Sequence, residues 1–128
     1  MRRQSEEYLF RLDGEYWSIT YDRRTVRLRD TAGLRYLATL LRRPGDGVES
    51  TELRATAGDR AATHRGRRRG TARDGERDRL AVAKGVRTAL ARVAAVHPTL
   101  GAHLEVTIRC GYVCRYLPDP RHPIRWME

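Results

Sequence analysis

No apolar run in this sequence approaches the roughly 20 residues that a membrane-crossing helix needs. The Met-Arg-Arg start leads straight to Glu6 and Glu7 instead of to the hydrophobic core of a secretion signal. A cytoplasmic chain with no membrane partner is therefore expected. Lysine is almost missing: Lys84 stands alone among 26 basic residues, so the positive charge sits on planar guanidinium forks that match phosphate and guanine. A GC-rich coding sequence explains the same bias without any function. Cysteine is confined to Cys110 and Cys114. Four apart along one strand they would stand about 13 Å from each other, too far for a disulfide, which fits a reducing compartment.

Catalytic signatures are missing as well. No glycine-rich phosphate loop precedes a helix, no Gly-x-Ser-x-Gly elbow is present, and the acidic residues are scattered. Glu105 near His103 is a lone pair without a cleft, so the chain is not expected to be an enzyme, to carry a cofactor or to hold a small molecule. Cys110, Cys114, His97 and His103 are ligand types for zinc, but their spacing lacks a Cys-x-x-Cys knuckle and no metal is assigned. With 128 residues the chain has the length of a single domain with one modest core.

What the sequence has in excess is positive charge, and its distribution is uneven. Residues 1–53 hold ten basic and nine acidic side chains, residues 54–79 nine and four, and residues 80–128 seven and three. The formal net charge of +10 thus belongs almost wholly to the later part of the chain. Such asymmetry points to a polyanionic partner that meets that part.

The hydrophobic pattern predicts an α+β fold. Tyr8 to Leu12 and Glu15 to Asp22 read as strands joined by an Asp13-Gly14 turn, and Thr25 to Arg29 continues the meander. Trp17, Ile19 and Tyr21 share one strand face; core packing explains them more simply than a base-stacking platform. Leu34, Leu37, Ala38 and Leu41 recur at helical spacing after a cap at Asp30 or Thr31, and Pro44-Gly45 ends that helix. Val48 can enter the core, and Ser50 or Thr51 can cap a second helix toward Ala57. The segment 58–78 is dominated by arginine, glycine and alanine without an amphipathic period, and reads as a mobile insert. Leu80 to Val96 is a third, amphipathic helix with Val82, Val86, Ala89, Leu90, Val93 and Val96 inward. Thr99 can cap a short turn through His103. Leu104 to Arg109, with Val106 and Ile108 inward, and Tyr112 to Leu117 read as strands around a Cys110-Gly111 turn. Ile124 and Trp126 are expected to tuck back onto the core.

This order, together with Leu34-Arg-Tyr-Leu-Ala-Thr-Leu-Leu-Arg-Arg-Pro-Gly45 and the hairpin Thr107-Ile-Arg-Cys-Gly-Tyr-Val-Cys-Arg-Tyr116, resembles an OmpR-type winged helix. Over nearly its whole length the chain also resembles a C-terminal module of large actinobacterial regulators and ATPases. The residues that suggest it are Gly14-Glu-Tyr-Trp-Ser-Ile-Thr-Tyr21, Leu28-Arg-Asp-Thr-Ala-Gly-Leu-Arg-Tyr-Leu37, His97-Pro-Thr-Leu-Gly101 and Tyr116-Leu-Pro-Asp-Pro120. The winged-helix resemblance implies one domain over 1–128: an N-terminal β-meander, three helices and a C-terminal hairpin wing. It also implies a regulator of transcription whose third helix enters the major groove of double-stranded DNA while the wing touches the adjacent backbone or minor groove.

Carried onto this sequence, the resemblance puts Lys84, Arg87 and Thr88 on the reading face with Arg92 at its margin, and Arg109 and Arg115 on the wing. Arg67, Arg68 and Arg69 of the insert would lie along phosphates. The bland alternative is that the helix residues are the solvated side of an ordinary amphipathic helix and the insert is a linker. Ala91 and Ala95 leave the helix face poor in hydrogen-bonding groups, so phosphate contacts should outweigh base reading. The competing reading is a protein-interaction or oligomerisation module, a homodimer or the tail of a larger signalling ATPase.

Overall fold

A computed structural model describes residues 8–56, 72–121 and 124–127. The strands β1 (Tyr8–Asp13), β2 (Tyr16–Tyr21) and β3 (Arg24–Arg29) form the expected antiparallel meander, and β7 (Trp126–Met127) joins its open edge in parallel with β1. The first turn is Gly14-Glu15, one residue later than the sequence suggests, because Asp13 still pairs with Tyr16. The second turn places Asp22 and Arg23 at φ 53° and 65°. Both lie in the left-handed region that matches hairpin twist but disfavours side chains other than glycine or asparagine.

Helix α1 (Ala32–Arg42) starts at Thr31, whose hydroxyl accepts the Leu34 N–H. Asp30 is occupied elsewhere, accepting from Trp17 Nε1 at 2.8 Å and from the Arg35 guanidinium, and the Arg35 hydrogen bonds hold its carboxyl below the usual range. After the Pro44-Gly45 turn come β4 (Val48–Glu49) and α2 (Ser50–Thr56). Ser50 does not cap α2: its hydroxyl donates to the carbonyls of Gly111 and Tyr112.

Two helices follow, which makes four among the described residues where the sequence suggested three. Helix α3 spans Ala72–Val96, so residues 72–78 belong to a helix and not to the insert; residues 57–71 lie outside the described part. Its early turns are held by polar contacts instead of an apolar stripe. Asp78 pairs with Arg54 of α2 at 2.9 Å, and Glu76 pairs with Arg79. Helix α4 (Pro98–Thr107) replaces the short turn and the first four residues of the strand expected over 104–109. His97 Nδ1 accepts the Leu100 N–H, Pro98 fills the first helical position, and the Thr107 hydroxyl donates to the His103 carbonyl. Val106, expected inward, is 66% exposed on this helix. The remaining strands, β5 (Ile108–Cys110) and β6 (Val113–Tyr116), form a sheet in the order β4-β6-β5.

Buried side chains from every helix and both sheets join in one apolar cluster. Ile124 packs against it and Trp126 is 9% exposed within it, so the tail returns to the core as expected. The two sheets are tied through Tyr116. Its hydroxyl receives Trp126 Nε1 at 3.2 Å and pairs with His103 Nε2 at 3.0 Å, while its carbonyl accepts the Gly45 N–H. Burial lowers the pKa of His103 and raises that of Tyr116. Among the described helices none is long and apolar enough to cross a membrane.

The position of α3 depends on a glycine notch, since a Cβ added at Gly33 of α1 would lie 2.2 Å from the Gly85 carbonyl oxygen of α3. Gly33→Ala is expected to lower stability by about 1–3 kcal/mol through forced separation of the helices. Arg23→Gly is expected to raise it by about 1 kcal/mol by relieving the left-handed backbone. Denaturant midpoints of the two variants moving in the same direction would contradict this packing.

Candidate nucleic-acid interface

An α-helix advances about 100° per residue, and on that wheel the buried residues Val82, Val86, Ala89 and Val93 mark the inner side of α3. Arg77, Leu80, Lys84, Arg87, Thr88, Ala91 and Ala95 are exposed and fall within an outer arc about 100° wide. Lys84, Arg87 and Thr88 therefore stand where the sequence puts them. Arg92 is half-buried at the edge of this arc. Among the described residues no carboxylate pairs with Lys84, Arg87 or Arg92.

The hairpin β5–β6 supplies the other basic pair. Arg109 and Arg115 are direct cross-strand partners and both are exposed. Cross-strand partners point to the same face, and like charges so placed repel. The Arg115 guanidinium also lies against the backbone of Gly47, where an added Cβ would be 3.0 Å from it. On the opposite face of the hairpin, Ile108, Cys114 and Tyr116 are buried.

The hairpin turn is docked on two helices. The Ser50 N–H of α2 donates to the Tyr112 carbonyl at 3.0 Å, and the Tyr112 hydroxyl donates to Glu76 Oε1 of α3 at 2.5 Å. The Arg79 guanidinium lies 5.1 Å from the centre of the Tyr112 ring. Arg87 is eleven residues beyond Glu76, so it projects within about 20° of the same helix side and about 16 Å farther along. The exposed arc of α3 thus begins on the flank where the hairpin docks.

The cysteines depart from expectation. They face each other across the loop Gly111-Tyr112-Val113, with Cα atoms 4.0 Å apart, and are joined as a disulfide. The estimate of about 13 Å held for one continuous strand, but a hairpin folds the pair together. His97 and His103, the other candidate zinc ligands, bond to the Tyr21 carbonyl and the Tyr116 hydroxyl. Arg67, Arg68 and Arg69 lie outside the described residues. An open groove of about 300 Å³ lies beside Gly14, Glu15, Arg29, Asp30 and Arg35. Its arginines are committed to Glu15 and Asp30, which leaves it a poor anion site.

No protein-family model matches this chain, and no curated protein or solved structure matches it.

Hydrogen bonds from Arg79 and then Tyr112 pull the Glu76 carboxyl down to about 2. A depressed carboxylate contributes stability above its unfolded pKa, near 4.5, and loses it as the pH falls through the folded value. Docking of the turn should therefore weaken between about pH 4.5 and 2. The Tyr112 ring resonances are expected to report this change in the parent chain and to lose the dependence in Glu76→Gln; an unaltered acid response in that variant would contradict the assignment.

Proposed function

We propose that this chain is a cytoplasmic, winged-helix-like DNA-binding domain of a transcriptional regulator. The observation that carries the reading is a pair of exposed basic surfaces, on α3 and on the hairpin docked at its start, with no acidic partner for either among the described residues. The outer arc of α3 bears Lys84, Arg87 and Thr88, and its flank holds the hairpin with Arg109 and Arg115. A phosphate backbone relieves the repulsion between two neighbouring guanidinium groups and releases counterions for each charge it neutralises. The order β4-β6-β5, in which the strand between the first two helices pairs with the returning hairpin strand, supports a winged-helix arrangement. Helix α4, placed between the long helix and the hairpin, is an addition to that pattern.

In this reading Arg92 contributes from the margin of the helix, and Arg67, Arg68 and Arg69 add phosphate contacts. Ala91 and Ala95 on the exposed arc favour backbone contacts over base reading. No catalytic step, cofactor or small molecule is involved. Affinity for a labelled duplex, followed by fluorescence anisotropy, is expected to fall steeply with salt. Replacing Arg87 and Arg92 together by alanine should weaken binding and reduce the log–log salt slope by about 2. Undetectable or salt-insensitive binding at low ionic strength would contradict the proposal.

A second reading, a protein-interaction or dimerisation module, is favoured by one feature. Val106 and Leu117 are 66% and 48% exposed, close to the hydrogen bond from the Leu117 N–H to the Thr107 carbonyl. Sedimentation of the chain alone and with duplex separates the two: a concentration-dependent dimer indifferent to DNA supports the second, and a DNA-dependent complex the first.

A further inference from the structure

The Cys110–Cys114 bond encloses only Gly111, Tyr112 and Val113, and these residues carry the hairpin's contacts with its two supporting helices. Gly111 and Tyr112 offer their carbonyls to Ser50 of α2, and Tyr112 gives its hydroxyl to Glu76 of α3. Cross-linking so short a loop removes less chain entropy from the unfolded state than a long loop would, so the bond's contribution to global stability is at the low end for a disulfide. Its effect falls on the turn itself. The two sulfur-bearing residues are also unequal: Cys110 is exposed and Cys114 wholly buried. An outside reagent meets the pair from the Cys110 side.

We propose that Cys110 and Cys114 form a reversible redox site, exchanging with low-molecular-weight thiols and disulfides, whose state sets how firmly the hairpin turn is docked on α2 and α3. A small thiolate attacks Cys110 Sγ and the S–S bond breaks. Cys114 leaves as a thiolate and takes up a proton. A second small thiolate attacks the outer sulfur of the mixed disulfide, which frees Cys110 as its thiol and releases the small disulfide. Two small thiols thereby become one disulfide while the protein gains two electrons and two protons; oxidation by the small disulfide is the reverse. In the closed form the turn is held in the shape that presents both carbonyls to Ser50. In the open form the strand ends at 110 and 114 separate freely and the turn exchanges with undocked states. The inference stands on the hairpin geometry, whatever the hairpin binds.

The test uses the full chain in mixtures of reduced and oxidised glutathione, with free thiols trapped by alkylation and weighed, and amide hydrogen exchange measured on each form. Without denaturant, reduction is expected to reach completion. The Ser50 and Gly111 amides should then exchange at least tenfold faster, while amides of α1 stay protected and the thermal midpoint falls by no more than several degrees. Cys110→Ser, a change at an exposed position, is expected to show the fast exchange in every mixture. A bond reducible only after unfolding, or equal Ser50 and Gly111 exchange in both forms, would overturn the proposal. So would a large fall in thermal midpoint on reduction, which would mark the bond as a structural staple.

Discussion

Tyr116 is the residue on which both halves of the molecule depend. It belongs to the small sheet, yet its hydroxyl reaches Trp126 of the meander's edge strand and His103 of α4, and its carbonyl receives the turn that ends α1. A buried phenol with unsatisfied hydrogen bonds would cost on the order of 1–3 kcal/mol. Its partners come from segments far apart in the chain, so satisfying them fixes where the C-terminal tail, α4 and the hairpin stand together. Tyr21 stacks on His103 and Trp126 and gives its carbonyl to His97, which extends the same polar knot to the start of α4. The hairpin leaves this knot with its inner face buried and its two arginines outward.

From that anchor the surface follows. The Gly33–Gly85 notch lets α1 settle closely on α3, and the Arg54–Asp78 pair joins α2 to the same helix. These contacts use the inner side and the first turns of α3, so the arc with Lys84 and Arg87 stays open. The first 53 residues are nearly balanced in charge, and their described part supplies the meander and α1 against which α3 and the hairpin are placed.

Much of the fold was legible where a single apolar period sufficed. Leu34, Leu37 and Leu41 announced α1, the alternation through Trp17 and Ile19 announced β2, and Val82 to Val93 announced the inner face of α3 and so its outer arc. Three features were hidden for separate reasons. Leu104, Val106 and Ile108 alternate like a strand, but the His97 cap and the Pro98 start extend a helix through Thr107 and leave Val106 outside. The first turns of α3 carry no apolar stripe; beside the Glu76–Arg79 pair within the helix they are held by Arg54 on Asp78 and Tyr112 on Glu76, and partners on other elements are invisible along one segment. The disulfide was hidden because the hairpin closes through three residues, Gly111 to Val113, instead of at Cys110-Gly111, which makes Cys110 and Cys114 opposite neighbours. Of the site residues, those on the helix could be placed from periodicity and those on the hairpin from the winged-helix resemblance, while the Tyr112–Glu76 contact that docks the hairpin turn on α3 could not.

The central claim is that the outer arc of α3 and the hairpin form one surface for duplex DNA. The most direct measurement is a titration of the isotopically labelled chain with a short duplex, followed residue by residue by NMR. Perturbations are expected at Lys84, Arg87, Thr88, Arg109 and Arg115 together, with the meander strands unaffected. Perturbations confined to the meander or to the Val106–Leu117 region, or none at low salt, would contradict it.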